Sequence, residues 1–257
     1  MFVALTSASG SPGTSTTALG LALCAPADDV FYVEADPCGG SFLHTGYYRS
    51  ERPRRTSVVG LIEAHQAGRL ADGIREQAEP IPETRVQALT GMWTTRQAMV
   101  TRTIWGPLGR FLAESTTCGV TVVADTGRYG HRYGATDLLT AADVVGVVCR
   151  AGLAELGVLH GVLPDLRRDL TAAGSTAVLG VILVGSHYSP SEVRRALGVD
   201  VLTTLPYAPD HAAVFSHGAR LRRFRQTRSR YLAELRRTWP RLADVSVARP
   251  GDGRSGR

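Results

Sequence analysis

The sequence predicts an α/β fold: a doubly wound, mainly parallel sheet with helices on both faces. Two observations carry this. First, several short runs are apolar along their whole length instead of at alternate positions, among them Val120–Ala124, Val144–Cys149 and Ala177–Val184. That is the pattern of strands buried on both faces. Second, helix-length segments separate these runs. Successive strands are then joined by right-handed crossovers, which gives a doubly wound sheet.

The elements follow in order. Phe2–Thr6 reads as a short buried strand, followed by a Gly/Ser/Pro loop and a helix over about Thr14–Cys24. Val30–Glu34 is a second strand and Val86–Leu89 a weaker one. Arg49–Pro53, with Arg54 and Arg55, is a charged loop containing a proline. A helix is expected over Ile104–Glu114, a strong strand at 120–124 and another at 144–149. A helix over Leu153–Ala173 then leads to the strand 177–184, and Val201–Leu205 is a last short strand. No linker divides the chain, so residues 1–243 are expected to form a single domain. Residues 244–257, rich in Arg and Gly, are expected to be a disordered tail.

Composition narrows the chemistry. The chain has 257 residues, and 44% hydrophobic with 20% charged is an ordinary globular balance. No run approaches the length of a membrane span. The opening Met1–Thr6 is too short for a signal-peptide core and lacks a basic leader. The four cysteines form no C-x-x-C pair, which suits reduced thiols and a cytoplasmic location. The histidines lack zinc-site spacing, so no zinc is expected. All 29 cationic residues are arginine. The absence of lysine excludes a Schiff base, a lysine general base and the lysine of a phosphate loop.

The first strand runs into Ser7-Ala8-Ser9-Gly10-Ser11-Pro12-Gly13-Thr14-Ser15-Thr16-Thr17 and then a helix. Small residues let the backbone curl around an anion, and a helix N-terminus aims N–H groups at it. Strand, Gly-rich loop, hydroxyl run and helix is the layout of a P-loop. The same residues would also serve as a plain strand-to-helix turn.

Three further segments bear on the choice. Glu34-Ala35-Asp36-Pro37-Cys38-Gly39-Gly40 follows the second strand. Asp125-Thr126-Gly127-Arg128 follows the strong middle strand, and Leu205-Pro206-Tyr207-Ala208-Pro209-Asp210 follows the last. In order and spacing these segments resemble the ParA/MinD family of P-loop ATPases over about residues 1–220. The likeness is nearest to the actinobacterial MinD-like and CpaE-like branch, whose loop reads K-G-S-P-G-x-T-T and whose second strand ends E-x-D-P-x-G-G.

The resemblance implies ATP and Mg²⁺ as ligands, with no zinc, flavin or NAD. It implies a homodimer, and a role in positioning or chromosome partitioning. In that branch such proteins accompany secretion or pilus ATPases, so a partner of that kind is implied too. Laid onto this chain, the family loop K-G-G-x-G-K-[ST] gives Gly10, Ser11, Gly13, Thr14, Ser15 and Thr16 as nucleotide-binding residues. Ser15 and Asp125 become the Mg²⁺ residues. Asp36, near the attacking water, and Asp125 become the catalytic acids, and Glu34 replaces a companion Asp. As plain structure, Asp36 and Asp125 would be turn and cap residues.

The departures from the family are specific. Its two lysine positions are Ser9 and Thr14, and Ser11 replaces a glycine. A unit charge at 4 Å is worth on the order of 4 kcal/mol, gross, at an effective dielectric of 20. Pro12 also removes one N–H from the loop. Arg128 and Arg150, near the carboxyl edge of the sheet, are the candidate replacements, or else surface arginines. Gly185-Ser186-His187 stands where the family often places an Asn near adenine.

Arg220–Arg241 holds nine arginines in 22 residues, with Leu221, Phe224, Tyr231, Leu235, Trp239 and Leu242 forming an apolar stripe. A basic amphipathic helix over about 219–242 is expected. It would either pack on the sheet, lie on an anionic membrane at the inner face, or contact DNA without sequence preference. Three functions follow: a partner-binding or positioning subunit with weak or no ATPase activity, a slow ATP-dependent dimerisation switch, and a nonspecific DNA-binding partition protein.

Overall fold

The computed structural model describes residues 1–10, 12–185, 187–219 and 229–247. Among them, eight strands form one sheet: β1 (Phe2–Ser7), β2 (Val30–Glu34), β3 (Glu79–Pro80), β4 (Val86–Leu89), β5 (Thr121–Arg128), β6 (Val144–Arg150), β7 (Val178–Val184) and β8 (Asp200–Leu205). Their order is β3-β4-β2-β5-β1-β6-β7-β8. Every pairing is parallel except β3 with β4. The expected fold class is therefore the one observed. All six residues of β1 are buried, the apolar run Phe2–Leu5 and also the polar Thr6 and Ser7.

Helices cover both faces. Among the described residues, in chain order, they are α1 (Thr14–Leu23), α2 (Leu61–Gln66), α3 (Leu70–Gln77), α4 (Thr95–Thr101), α5 (Trp105–Thr117), α6 (Thr136–Ala141), α7 (Leu153–Ala172), α8 (Pro190–Leu197), α9 (Pro209–Ser216) and α10 (Arg230–Val247). One core layer gathers Phe2, Val33, Trp105 and Leu159. The other gathers Leu5, Leu19, Phe215 and Leu235. None of the helices among the described residues is long and apolar enough to cross a membrane. The four cysteines are free thiols.

Several expectations need correction. Strand β5 runs on through Asp125 and Thr126 to Arg128, because the buried Thr126 hydroxyl donates to the Leu5 carbonyl (2.9 Å) and the Thr6 hydroxyl to that of Gly127 (3.0 Å). These two bonds tie the ends of β1 and β5 together. The charged segment 49–55 is free of helix and strand, as expected, but a π-helical turn, Leu43–Tyr47, precedes it and α2 and α3 follow it, none of them expected from the sequence.

The last helix also differs. Residues 220–228, with Leu221 and Phe224, lie outside the described residues, as do 248–257. Helix α10 continues to Val247, so residues 244–247 are helical instead of tail. Its aromatics are buried: Tyr231 is 4% exposed and Trp239 3%. The Trp239 indole N–H donates to the Leu21 carbonyl (3.1 Å), locking α10 onto α1. The apolar stripe over 231–242 is thus core, which removes a membrane-inserted face from that segment. Arg236, Arg237 and Arg241 form its solvated side.

Candidate functional site

The central position of β1, between β5 and β6, puts its loop over the middle of the sheet's carboxyl edge. Ligands bind there in open parallel sheets. A cleft of about 750 Å³ opens at this edge. Its walls include Ser9, Gly10, Gly13, Ser15, Asp36 and Arg150. Thr14 and Thr16 line it as well. Of the expected nucleotide-binding residues, Ser11 alone lies outside the described residues.

Gly13 is the N-cap of α1 and has a φ of 100°, which a side chain adopts only with strain. A Cβ there would meet nothing within 4 Å, so backbone conformation and not crowding requires the glycine. The Gly13 carbonyl accepts from the Thr17 N–H (2.8 Å), which starts the helix. No side chain caps α1, leaving the first N–H groups toward the cleft. Thr14 is 6% exposed, and its hydroxyl has no hydrogen-bond partner among the described residues. A buried hydroxyl without a partner costs free energy unless a ligand or water completes it.

Next to the loop lie three carboxyl groups. Asp125 is wholly buried. Its Oδ1 accepts from the Gly127 N–H (3.0 Å), and the Ser15 hydroxyl bonds to the same carboxyl group. Burial first, then the charge of Asp36, pushes Asp125 up to about 7. The second-strand acids have different jobs. Asp36 is half-buried and lines the cleft, and its Oδ1 accepts from the Cys38 N–H (2.9 Å). It packs so closely on Gly127 (φ 66°) that a Cβ there would collide with its carboxyl group.

Glu34 is tied down instead. It accepts from the Ser41 hydroxyl (2.5 Å), the Leu43 N–H (2.6 Å) and the Gly91 N–H (2.9 Å). Burial raises its pKa and these bonds lower it in part. Standing where the family has a companion Asp, Glu34 anchors the loop that carries Asp36 to Gly91. The sequence had no signal for this, because the partners lie 7, 9 and 57 residues away.

Among the described residues, no cluster of three or more His, Cys, Asp or Glu could hold a metal ion alone. The Ser15 hydroxyl and Asp125 carboxyl are hard oxygen donors. They suit Mg²⁺ completed by water and phosphate oxygens, the usual mode for that ion. On the far wall, Arg150 lies over the ring of Tyr207, 5.1 Å from its centroid, and Arg128 ends β5.

No family model matches the chain, and no curated protein matches it by sequence. Solved structures do match by fold. MinD from Pyrococcus horikoshii, complexed with Mg-ADP, gives a TM-score of 0.69 at 15% identity, over 95% of this chain and 98% of that one. The cell-division ATPase MinD from Pyrococcus furiosus gives 0.67 at 14% identity, over 95% and 99%. An ATP complex of a Cyanothece McdA variant gives 0.69 at 14% identity, over 96% of each. The chain thus has the fold of the MinD and ParA ATPases.

Proposed function

We propose that this chain is a ParA/MinD-type protein with a degenerate phosphate loop. In this reading it is a cytoplasmic partner-binding or positioning subunit that retains a nucleotide cleft and hydrolyses ATP weakly or not at all. One observation carries the reading. The cleft keeps its loop, its helix N-terminus and the Ser15–Asp125 pair, yet both lysine positions are neutral, Ser9 and Thr14, and no lysine exists elsewhere to replace them.

The consequence for chemistry is direct. Phosphoryl transfer depends on positioning and on cationic stabilisation of charge at the transferred group. Mg²⁺, held through Ser15 and Asp125, would supply part of that charge when bound. Gly10, Gly13 and the α1 N-terminus would bind phosphate through N–H groups, and Asp36 would orient water. Both lysine charges of the family loop are missing, so binding survives better than turnover. A homodimer and a secretion or pilus ATPase are the partners this reading names.

Calorimetric titration with Mg-ADP and Mg-ATP, beside a steady-state phosphate-release assay, tests it. Binding with turnover at background supports the subunit reading. Turnover well above background that vanishes in Asp36→Ala would overturn it in favour of a slow ATP-dependent switch, the reading favoured by the intact Ser15–Asp125 pair. Salt-dependent binding to random DNA would instead favour the partition reading.

A further inference from the structure

We propose that Arg128 and Arg150 form a two-armed clamp for the polyphosphate of the ligand, supplying from the neighbouring strands the positive charge that the loop lacks. This rests on the cleft being a nucleotide site, as read above.

Placement comes first. Because β1 lies between β5 and β6, the carboxyl ends of those strands flank its loop on either side. Arg128 is in register with Ser7, where the loop begins. On the other side Ser7 pairs with Val148, two residues before Arg150. Both arginines line the same cleft as Gly10, Gly13 and Thr14. One charge thus stands on each flank of the loop.

Their surroundings leave both available. Many arginines of this chain sit within ion-pair distance of a carboxylate, as Arg75 does with Asp72 and Arg194 with Asp200. Among the described residues no carboxylate pairs with Arg128 or Arg150. Arg150 rests over the face of Tyr207. A guanidinium stacked on a ring keeps its N–H groups around the rim, free to grip oxygens. The other charged group on the cleft wall is Asp36, with Asp125 buried behind it. The two arginines offset that negative charge.

The third observation lies in the loop itself. The unpartnered hydroxyl of Thr14 is buried on this wall, at a position where the related loops carry lysine. A neutral donor in the loop and two guanidinium forks across from it divide the lysine's work. The hydroxyl and backbone N–H groups orient the phosphate, and the forks neutralise it bidentately.

The test is binding of ADP, ATP and sodium tripolyphosphate to the full chain, with thermal melts confirming that each variant folds. Arg128→Ala and Arg150→Ala should each weaken ADP and ATP by about tenfold to a hundredfold, the worth of a charge-assisted hydrogen bond. Arg150→Lys should recover part of the loss, since it keeps the charge without the fork. Arg110→Ala, which removes an exposed charge on α5, should change nothing. Equal affinity for tripolyphosphate and ATP would keep the clamp and make free polyphosphate its ligand. If both alanine variants bind within twofold of the unaltered protein while Gly13→Val loses binding, the loop works alone. The clamp is then wrong and the nucleotide cleft stands. No binding to the unaltered protein overturns both.

Discussion

Replacing Asp125 with Asn should stabilise the protein by an amount that grows with pH. Unfolded, this carboxyl group titrates near 3.8; folded, burial and the neighbouring Asp36 push it up to about 7. The native state therefore holds a proton that the unfolded chain releases. Below pH 4 both states are protonated and the site adds no penalty. As pH rises through the interval from about 4 to 7, the unfolded state gains by ionising and stability falls. Above 7 the penalty is complete, about 4 kcal/mol for a difference of roughly three pH units. Asparagine carries no charge, and it can still accept from Gly127 and meet the Ser15 hydroxyl.

The gain of Asp125→Asn over the unaltered protein should thus be about 2–3 kcal/mol larger at pH 8 than at pH 5. Urea unfolding of both proteins at pH 5, 6, 7 and 8, with chelator to exclude divalent ions, gives the curve. Midpoints that stay a constant distance apart across this range would refute the reasoning. They would mean that the buried carboxyl group is ionised at no cost.

Other outcomes follow from the same geometry. Gly127→Ala sets a methyl group against the Asp36 carboxyl at a positive φ and should cost about 1–3 kcal/mol, read from the urea midpoint. Trp239→Ala opens a hole between α10 and α1 and removes the indole bond to the Leu21 carbonyl; about 3–5 kcal/mol of stability should go, by thermal or urea unfolding. Glu34→Gln confronts three donors with an amide that can accept on one side only, so about 1–3 kcal/mol should be lost. Proteolysis should then cut faster within residues 36–43, which that carboxylate holds in place.

The sheet was legible because its strands are buried on both faces and so write themselves as unbroken apolar runs. Much of the cleft was legible for a related reason. A phosphate loop is contiguous in the chain, and Asp36 and Asp125 each follow a strong strand. What escaped has few local signs. Helices α2, α3 and α4 are 6 to 8 residues long, too short for a clear apolar period. The π-helical turn at 43–47 has no pattern of its own and is held by Glu34 from outside. The Arg150–Tyr207 stack joins residues far apart in the chain. The stripe in the last helix fitted core and membrane equally, and only its contacts with α1 separate them.

The strand order also dictates when this molecule can exist as it is synthesised. Residue 2 is in register with residue 122, and residue 3 with residue 144. β1 thus lies inside the sheet between strands made much later: one neighbour, β5, is complete only at residue 128 and the other, β6, at residue 150. Such long-range pairing makes folding slow and leaves intermediates exposed. Until β5 arrives, Phe2, Val3 and Leu5 have no neighbouring strand, and until β6 arrives the loop that follows them is flanked on one side only. β1 is therefore the keystone, made well before the two strands that enclose it. Trimming or masking it would open the sheet at its centre and not fray an edge.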